Sequence, residues 1–401
     1  MIAPQTVLNS RSLILGRRVG RWLAVAIALT FRVGCGHTPA ATVSNSLAEP
    51  ARFEPAWQYE CQPGTIFLLA GSQAAAIGSK SLVFVEVSPL HPSGEVVSVG
   101  LETGREMWRR PASSVRAVGE WKRYVVLIES AGSNNSLSVR VSLLDGTDGR
   151  VLKGPVEVGR GQMADVAMTT GAVYVATDRG ELICMDPVAG KVVWRQQVPF
   201  TRGQWCRVLA SDESVVYLAR GLAIAFSSGG EHLWEQLLPE GVSGHPMLAQ
   251  IEGGVLLTAG NNGIACIDSR SGSVVWTNLH GEGIRQLGSS ASEGLCVVGT
   301  AGKLIALSLA DGTRRWTRHI GDSGPPSSLA QVVIVRQWAF LYPMERDRQW
   351  RLHGYATADG QDELRDAEPF KVGMPLLSND RFLVAFDVQA VRCYVVPEIP
   401  G

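Results

Sequence analysis

All-β is the fold class this sequence predicts, on three observations. A glycine recurs every 40–48 residues, at Gly104, Gly149, Gly190, Gly230, Gly272, Gly312 and Gly360. Five of these are followed four residues later by tryptophan: Trp108, Trp194, Trp234, Trp276 and Trp316. Lys153 and Leu364 hold that place after Gly149 and Gly360. Each period carries four apolar runs of strand length, separated by Gly, Asn, Asp and Ser. Composition agrees. There are 44 glycines in 401 residues and 18% charged residues, against roughly 7% Gly and 25% charge in an ordinary domain. A period near 40–45 residues with about four strands per unit is the pattern of a propeller blade.

The chain opens with Arg11, Arg17, Arg18 and Arg21, then an apolar run from Trp22 to Phe31. That run is shorter than the ~20 residues a membrane-spanning helix needs. A basic segment before a short apolar one reads as an export signal over residues 1–35. Val33-Gly34-Cys35 ends it like a lipobox, which predicts that Cys35 is lipidated and becomes the new N-terminus. Arg32 departs from that pattern, where an aliphatic residue is expected. Ordinary cleavage near Thr38-Pro39-Ala40 is the alternative. Residues 36–51 are small and polar, as expected of a tether, and residues 52–401 form the propeller.

One regular unit shows how a blade is written. His245–Gln250 is a first strand and Gly254–Ala259 a second. Asn261-Asn262-Gly263 turns the chain. Ile264–Asp268 is the third strand, Ser269–Gly272 a hairpin loop, and Ser273–Asn278 the fourth. Asp145, Asp186 and Asp268 stand four residues before their glycine, where a carboxylate can cap turn amides. The glycine supplies the positive φ of a tight hairpin. The tryptophan on the outer strand should then lie over the next blade, burying about 150–250 Å². Blade 2 (Val115 to Lys153) and blade 7 (Ala330 to Leu364) are the least regular. Blade 7 carries Glu345-Arg346-Asp347-Arg348 as a loop between its second and third strands.

The count depends on the ends. After Gly360 come three more runs, Phe370–Leu377, Phe382–Phe386 and Val391–Val396, and no fourth. Phe53–Tyr59, with Trp57 in an outer-strand context, precedes the first full unit. If that segment completes the last blade, the result is an eight-bladed propeller of four-stranded antiparallel blades. The N-terminal strand joins the C-terminal blade and leaves no free sheet edge along the circle. A seven-bladed ring is the alternative.

The unit Cys184-Met185-Asp186-Pro187-Val188-Ala189-Gly190-Lys191-Val192-Val193-Trp194 resembles the tryptophan-docking repeat of the pyrroloquinoline quinone (PQQ)-type propellers. It recurs from Cys266 through Asp268 and Gly272 to Trp276, and more loosely at Ala306–Trp316. The resemblance spans about residues 53–396. It implies a propeller fold and one of two functions. Some members are quinoprotein dehydrogenases. Others are non-catalytic, among them the propeller lipoprotein of the outer-membrane β-barrel assembly machine.

The dehydrogenases of the family carry an adjacent Cys-Cys disulfide and a calcium held by Glu, Asn and Asp. This chain has no adjacent cysteines. Its seven (35, 61, 184, 206, 266, 296 and 393) form no C-x-x-C pair. Cys184 and Cys266 occupy equivalent third-strand positions and read as small core residues. A disulfide is allowed in an oxidising compartment, with no pairing readable. The histidines show no metal-ligand spacing. Asp145-Gly146-Thr147-Asp148-Gly149 lacks the length and closing Glu of a calcium loop and reads as a hairpin. Trp121, Trp205, Trp338 and Trp350 lie off the repeat, as candidates for a face or the channel. His245-Pro246 and the Asn261 turn lie at strand ends.

Lys+Arg and Asp+Glu both number 37, a balance that excludes a general nucleic-acid binder. The expectation is an exported, non-catalytic scaffold in the cell envelope, in the periplasm or on the periplasmic face of the outer membrane. It binds envelope proteins through blade-face loops, and the membrane through Cys35. No catalytic residue, metal or cofactor is expected. PQQ and calcium belong only to the alternative, a quinoprotein-like dehydrogenase.

Overall fold

The computed structural model describes residues 51–398 apart from 64, 68–73, 89–92, 122, 133–136, 200–205, 220, 243–247, 261, 279–282, 301, 321–331, 343–348, 367 and 371–375. The expected export segment, Cys35, Trp205, His245, Asn261 and the Glu345–Arg348 stretch therefore lie outside the described residues. The rest is all β, in eight antiparallel sheets that form an eight-bladed propeller.

Blade 3 shows the common plan: Met163–Met168, Val173–Thr177, Glu181–Asp186 and Lys191–Gln197 pair in sequence order from the axis outward. Blade 8 is built from both ends. Leu376–Ser378, Phe382–Phe386 and Ala390–Val395 are joined by Trp57–Glu60 as outer strand, with Trp57 opposite Cys393. The innermost strands touch in an unbroken circle, blade 8 against blade 1 included.

The inner strands read as continuous apolar runs because both faces are covered. Val173–Thr177 is buried at every position. Alternate residues serve opposite neighbours. Leu82 and Phe84 pack against blade 8, while Val83 and Val85 pack against blade 2. The apolar core is thus eight separate clusters, one at each junction between blades. Each blade is stable only between its neighbours.

Several boundaries differ from the sequence reading. The outer strand of blade 2 is Val151–Arg160, not ended at Lys153. Pro155 falls in a bulge on an edge strand, where its missing N–H costs no ladder bond, and pairing resumes at Val156. The first strand of blade 5 is Leu248–Glu252, and that of blade 8 starts only at Leu376. Phe370 instead forms a single bridge with Trp350. The first strand of blade 1 is split into Ile66–Phe67 and Ala75–Ile77, both on Ser81–Val87. Ala51, the last residue of the expected tether, and Arg52 add in parallel to the outer edge of blade 7 at Leu364 and Arg365.

Candidate binding surface

The seven hairpin glycines all adopt positive φ, from +65° to +90°. Six of them are covered by a tryptophan of the preceding blade: Gly104 by Trp57, Gly149 by Trp108, Gly230 by Trp194, Gly272 by Trp234, Gly312 by Trp276 and Gly360 by Trp316. A Cβ on Gly272 would lie 2.6 Å from Trp234 Cδ2, so the position needs glycine for space as well as for φ. Each indole N–H donates to a carbonyl of the hairpin it covers. The distances are 2.6 Å from Trp57 to Leu101, 2.8 Å from Trp108 to Gly146, 2.9 Å from Trp194 to Ser228, 3.0 Å from Trp234 to Ser269, 2.8 Å from Trp276 to Leu309, and 2.8 Å from Trp316 to Thr357.

The hairpins are held by the carboxylates read from the sequence. Asp186 accepts from the Val188 and Ala189 amides (2.8 and 2.9 Å), and Asp268 from those of Arg270 and Ser271 (3.1 and 2.7 Å). Asp145 accepts from Thr147, and Asp148 from the Arg150 amide, as a hairpin does. Hydrogen bonds from Ser271 and Thr147 hold the Asp268 and Asp145 carboxyls below the usual carboxylate range.

A further rule was not read from the sequence. The residue opposite each docking tryptophan is small: Ser98, Cys184, Ala225, Cys266, Ala306 and Cys393 face Trp108, Trp194, Trp234, Trp276, Trp316 and Trp57. A small residue there leaves room for the indole over the strand. Cys184 and Cys266 are fully buried at these positions, and burial pushes their thiols up to about 11. The six described cysteines are free.

Two junctions lack the dock. Between blades 2 and 3, the aliphatic stem of Lys153 covers Gly190, and the opposite residue is Leu143. Between blades 7 and 8, Leu364 holds the tryptophan position. There Phe53 stacks on Tyr394 (4.7 Å) and Phe340 (5.4 Å). Buried Asp366 takes Arg392 at 3.3 Å and the Tyr394 hydroxyl, and Arg392 lies 4.3 Å over the Phe370 ring. The ring is therefore completed by an aromatic and ionic cluster. A second charged network flanks the closing strand between blades 8 and 1. Arg109 meets Glu86 at 3.1 Å, Glu95 at 2.5 Å and Glu106 at 2.9 Å, and donates to the Tyr59 hydroxyl.

The three off-repeat tryptophans among the described residues are spoken for. Trp338 is buried and donates to Pro397 at 3.1 Å. Trp121 stacks on Tyr124 and donates to the Thr170 carbonyl. Trp350 packs on the cluster between blades 7 and 8. The residue before the docking tryptophan points outward instead. Met107, Val193, Leu233 and Val275 are exposed on outer strands.

Among the described residues, no group of three or more His, Cys, Asp or Glu side chains could hold a metal ion. No described helix is long and apolar enough to cross a membrane. The outer surface at the blade 2–3 junction does hold a cleft of about 520 Å³, lined by charged residues of both blades.

A repeat family with the description outer membrane protein assembly factor BamB matches residues 138–205 and 200–337. The chain is a PQQ-like propeller related to BamB. Its curated relative, the outer membrane protein assembly factor BamB of Nitrosomonas eutropha, is 29% identical over 172 residues. That match spans 41% of this chain and 41% of the relative. The crystal structure of BamB from Moraxella catarrhalis superposes at a TM-score of 0.58, with 15% identity, covering 86% of this chain and 99% of that one. The computationally designed Ika8 protein gives 0.63 at 14% identity, over 86% of this chain and 100% of its own. The C-terminal WD40 domain of Sif2 gives 0.59 at 10%, over 86% and 99%. At these identities the solved structures share the fold with this PQQ-like propeller.

Proposed function

We infer that this chain is an exported, non-catalytic propeller that holds proteins together during outer-membrane protein assembly in a bacterial envelope. The observation that carries the reading is the family match over residues 138–337, on a ring whose docking residues are committed to holding blades together. A rigid disc with loops free to vary suits protein recognition. Residues 1–35 export the chain to the periplasm. Lipidated Cys35 and the 36–51 tether hold it at the periplasmic face of the outer membrane. It works without cofactor.

Affinity capture of the full-length chain from cross-linked envelopes, with mass spectrometry of what accompanies it, tests the reading. An outer-membrane barrel and its assembly factors are expected, and a partner-free preparation contradicts it. Fluorescence titration with PQQ plus calcium tests the quinoprotein alternative, and saturable quenching would favour it over the scaffold. For the anchor, Cys35→Ser is expected to move the protein from the membrane to the soluble fraction. Unchanged partition overturns the lipid anchor alone.

A further inference from the structure

The geometry points to the cleft between the outer strands of blades 2 and 3 as a docking site for an extended, acidic peptide segment of a partner protein. The inference deepens the scaffold reading and rests on it. This junction has Lys153 where others have a docking indole. The outer strand of blade 2 runs ten residues, Val151–Arg160, past that position. It reaches blade 3 at Gly159, where a Cβ would lie 2.5 Å from Ile183 Cδ1 and 3.2 Å from Thr177 Cγ2. The backbone is thus drawn against blade 3, and the cleft opens among the flanking side chains. Its volume, about 520 Å³, falls within the ~300–1,000 Å³ of ligand pockets.

Glu157, Arg160, Arg179, Glu181, Arg195 and Gln197 line it. Arg195 stands 4.0 Å from Glu181, a loose pair. Arg160 and Arg179 are exposed and have no ion-pair partner among the described residues. Two unpaired guanidinium forks on one cleft suit carboxylates, which they can take bidentately. Glu157 and Glu181 on the same walls disfavour a dense polyanion and select a chain of spaced charges. One wall, Lys191–Gln197, pairs with Glu181–Asp186 on its inner edge, and its outer edge has no strand among the described residues. Such an edge accepts an added strand. Blade 7 of this ring does so with Ala51–Arg52.

The probe is a fluorescein-labelled eight-residue peptide of alternating Asp and Thr, titrated into the purified full chain and followed by anisotropy. The site predicts saturable binding that weakens with salt and falls at least tenfold in R160E/R179E. A circular-dichroism melt confirms that this variant, altered only at exposed positions, is folded. E157Q/E181Q is expected to bind at least as tightly as the parent. Absent saturation, or equal affinity in R160E/R179E, overturns the site. Equal competition by inorganic phosphate, or equal binding to phosphatidylglycerol vesicles, overturns the choice of a peptide. Envelope capture with R160E/R179E separates the two claims. If it recovers the same partners as the parent, the cleft is wrong and the scaffold stands. If neither protein recovers a partner, both fall.

Discussion

At the scale of single residues, the repeat is a three-part lock: an indole, a glycine it covers and a small residue across the strand. Trp234→Ala empties a site buried to 7% exposure and should cost about 3–5 kcal/mol by denaturant unfolding. Gly272→Ala meets both the positive φ and the Trp234 ring and should cost about 1–3 kcal/mol. Cys266→Leu overfills the place opposite Trp276 and should cost about 1–3 kcal/mol, whereas Cys266→Ala should fold normally. The tryptophan and the glycine were legible because they recur at fixed spacing. The small partner was not, because Ser, Ala and Cys share size without sharing chemistry. Glu120 makes a different prediction. Burial raises its carboxyl from 4.5 to about 7, with Ser81 as its hydrogen-bond donor. The protonated form is favoured in the fold, so this group's contribution is full below about pH 4.5 and is lost as pH rises through 7. Glu120→Gln should therefore raise Tm at pH 8 and leave it unchanged at pH 4.

At the scale of elements, the blade 2–3 junction is the informative exception. Lys153 stands in the tryptophan place, and Leu143 across from it is larger than the Ser, Ala or Cys that face the indoles. Lys153→Trp alone should not stabilise, because Leu143 occupies the room an indole needs. The pair Lys153→Trp and Leu143→Ala should couple favourably by about 0.5–3 kcal/mol in a double-mutant cycle, and a cycle that adds without coupling refutes the lock. The sequence showed the Gly149/Lys153 irregularity but not its result. Arg160, Arg179 and Arg195 lie on separate segments, and only the long outer strand brings them to one cleft. The parallel strand at Ala51–Arg52 was equally illegible, since two residues carry no periodicity.

At the scale of the whole molecule, the ring closes by joining its two ends. The eight-blade count and the N-terminal closing strand were readable, because three strands at one end and one at the other can only make a blade together. What seals the blade 7–8 junction was not, since Asp366, Arg392, Tyr394 and Phe53 share no motif. Asp366→Ala takes the buried carboxylate from Arg392 and Tyr394, leaves Arg392 only the exposed Glu368 at 3.2 Å, and should cost up to about 3–5 kcal/mol. Because every core cluster spans two blades, that loss should lower the single unfolding transition of the whole ring. The related BamB proteins make an assembly scaffold the central claim. The direct measurement is the binding of the purified mature chain to the immobilised periplasmic portion of an outer-membrane assembly barrel from the same cell. The account predicts a saturable complex at micromolar concentration, whereas no retention at such concentrations would contradict it.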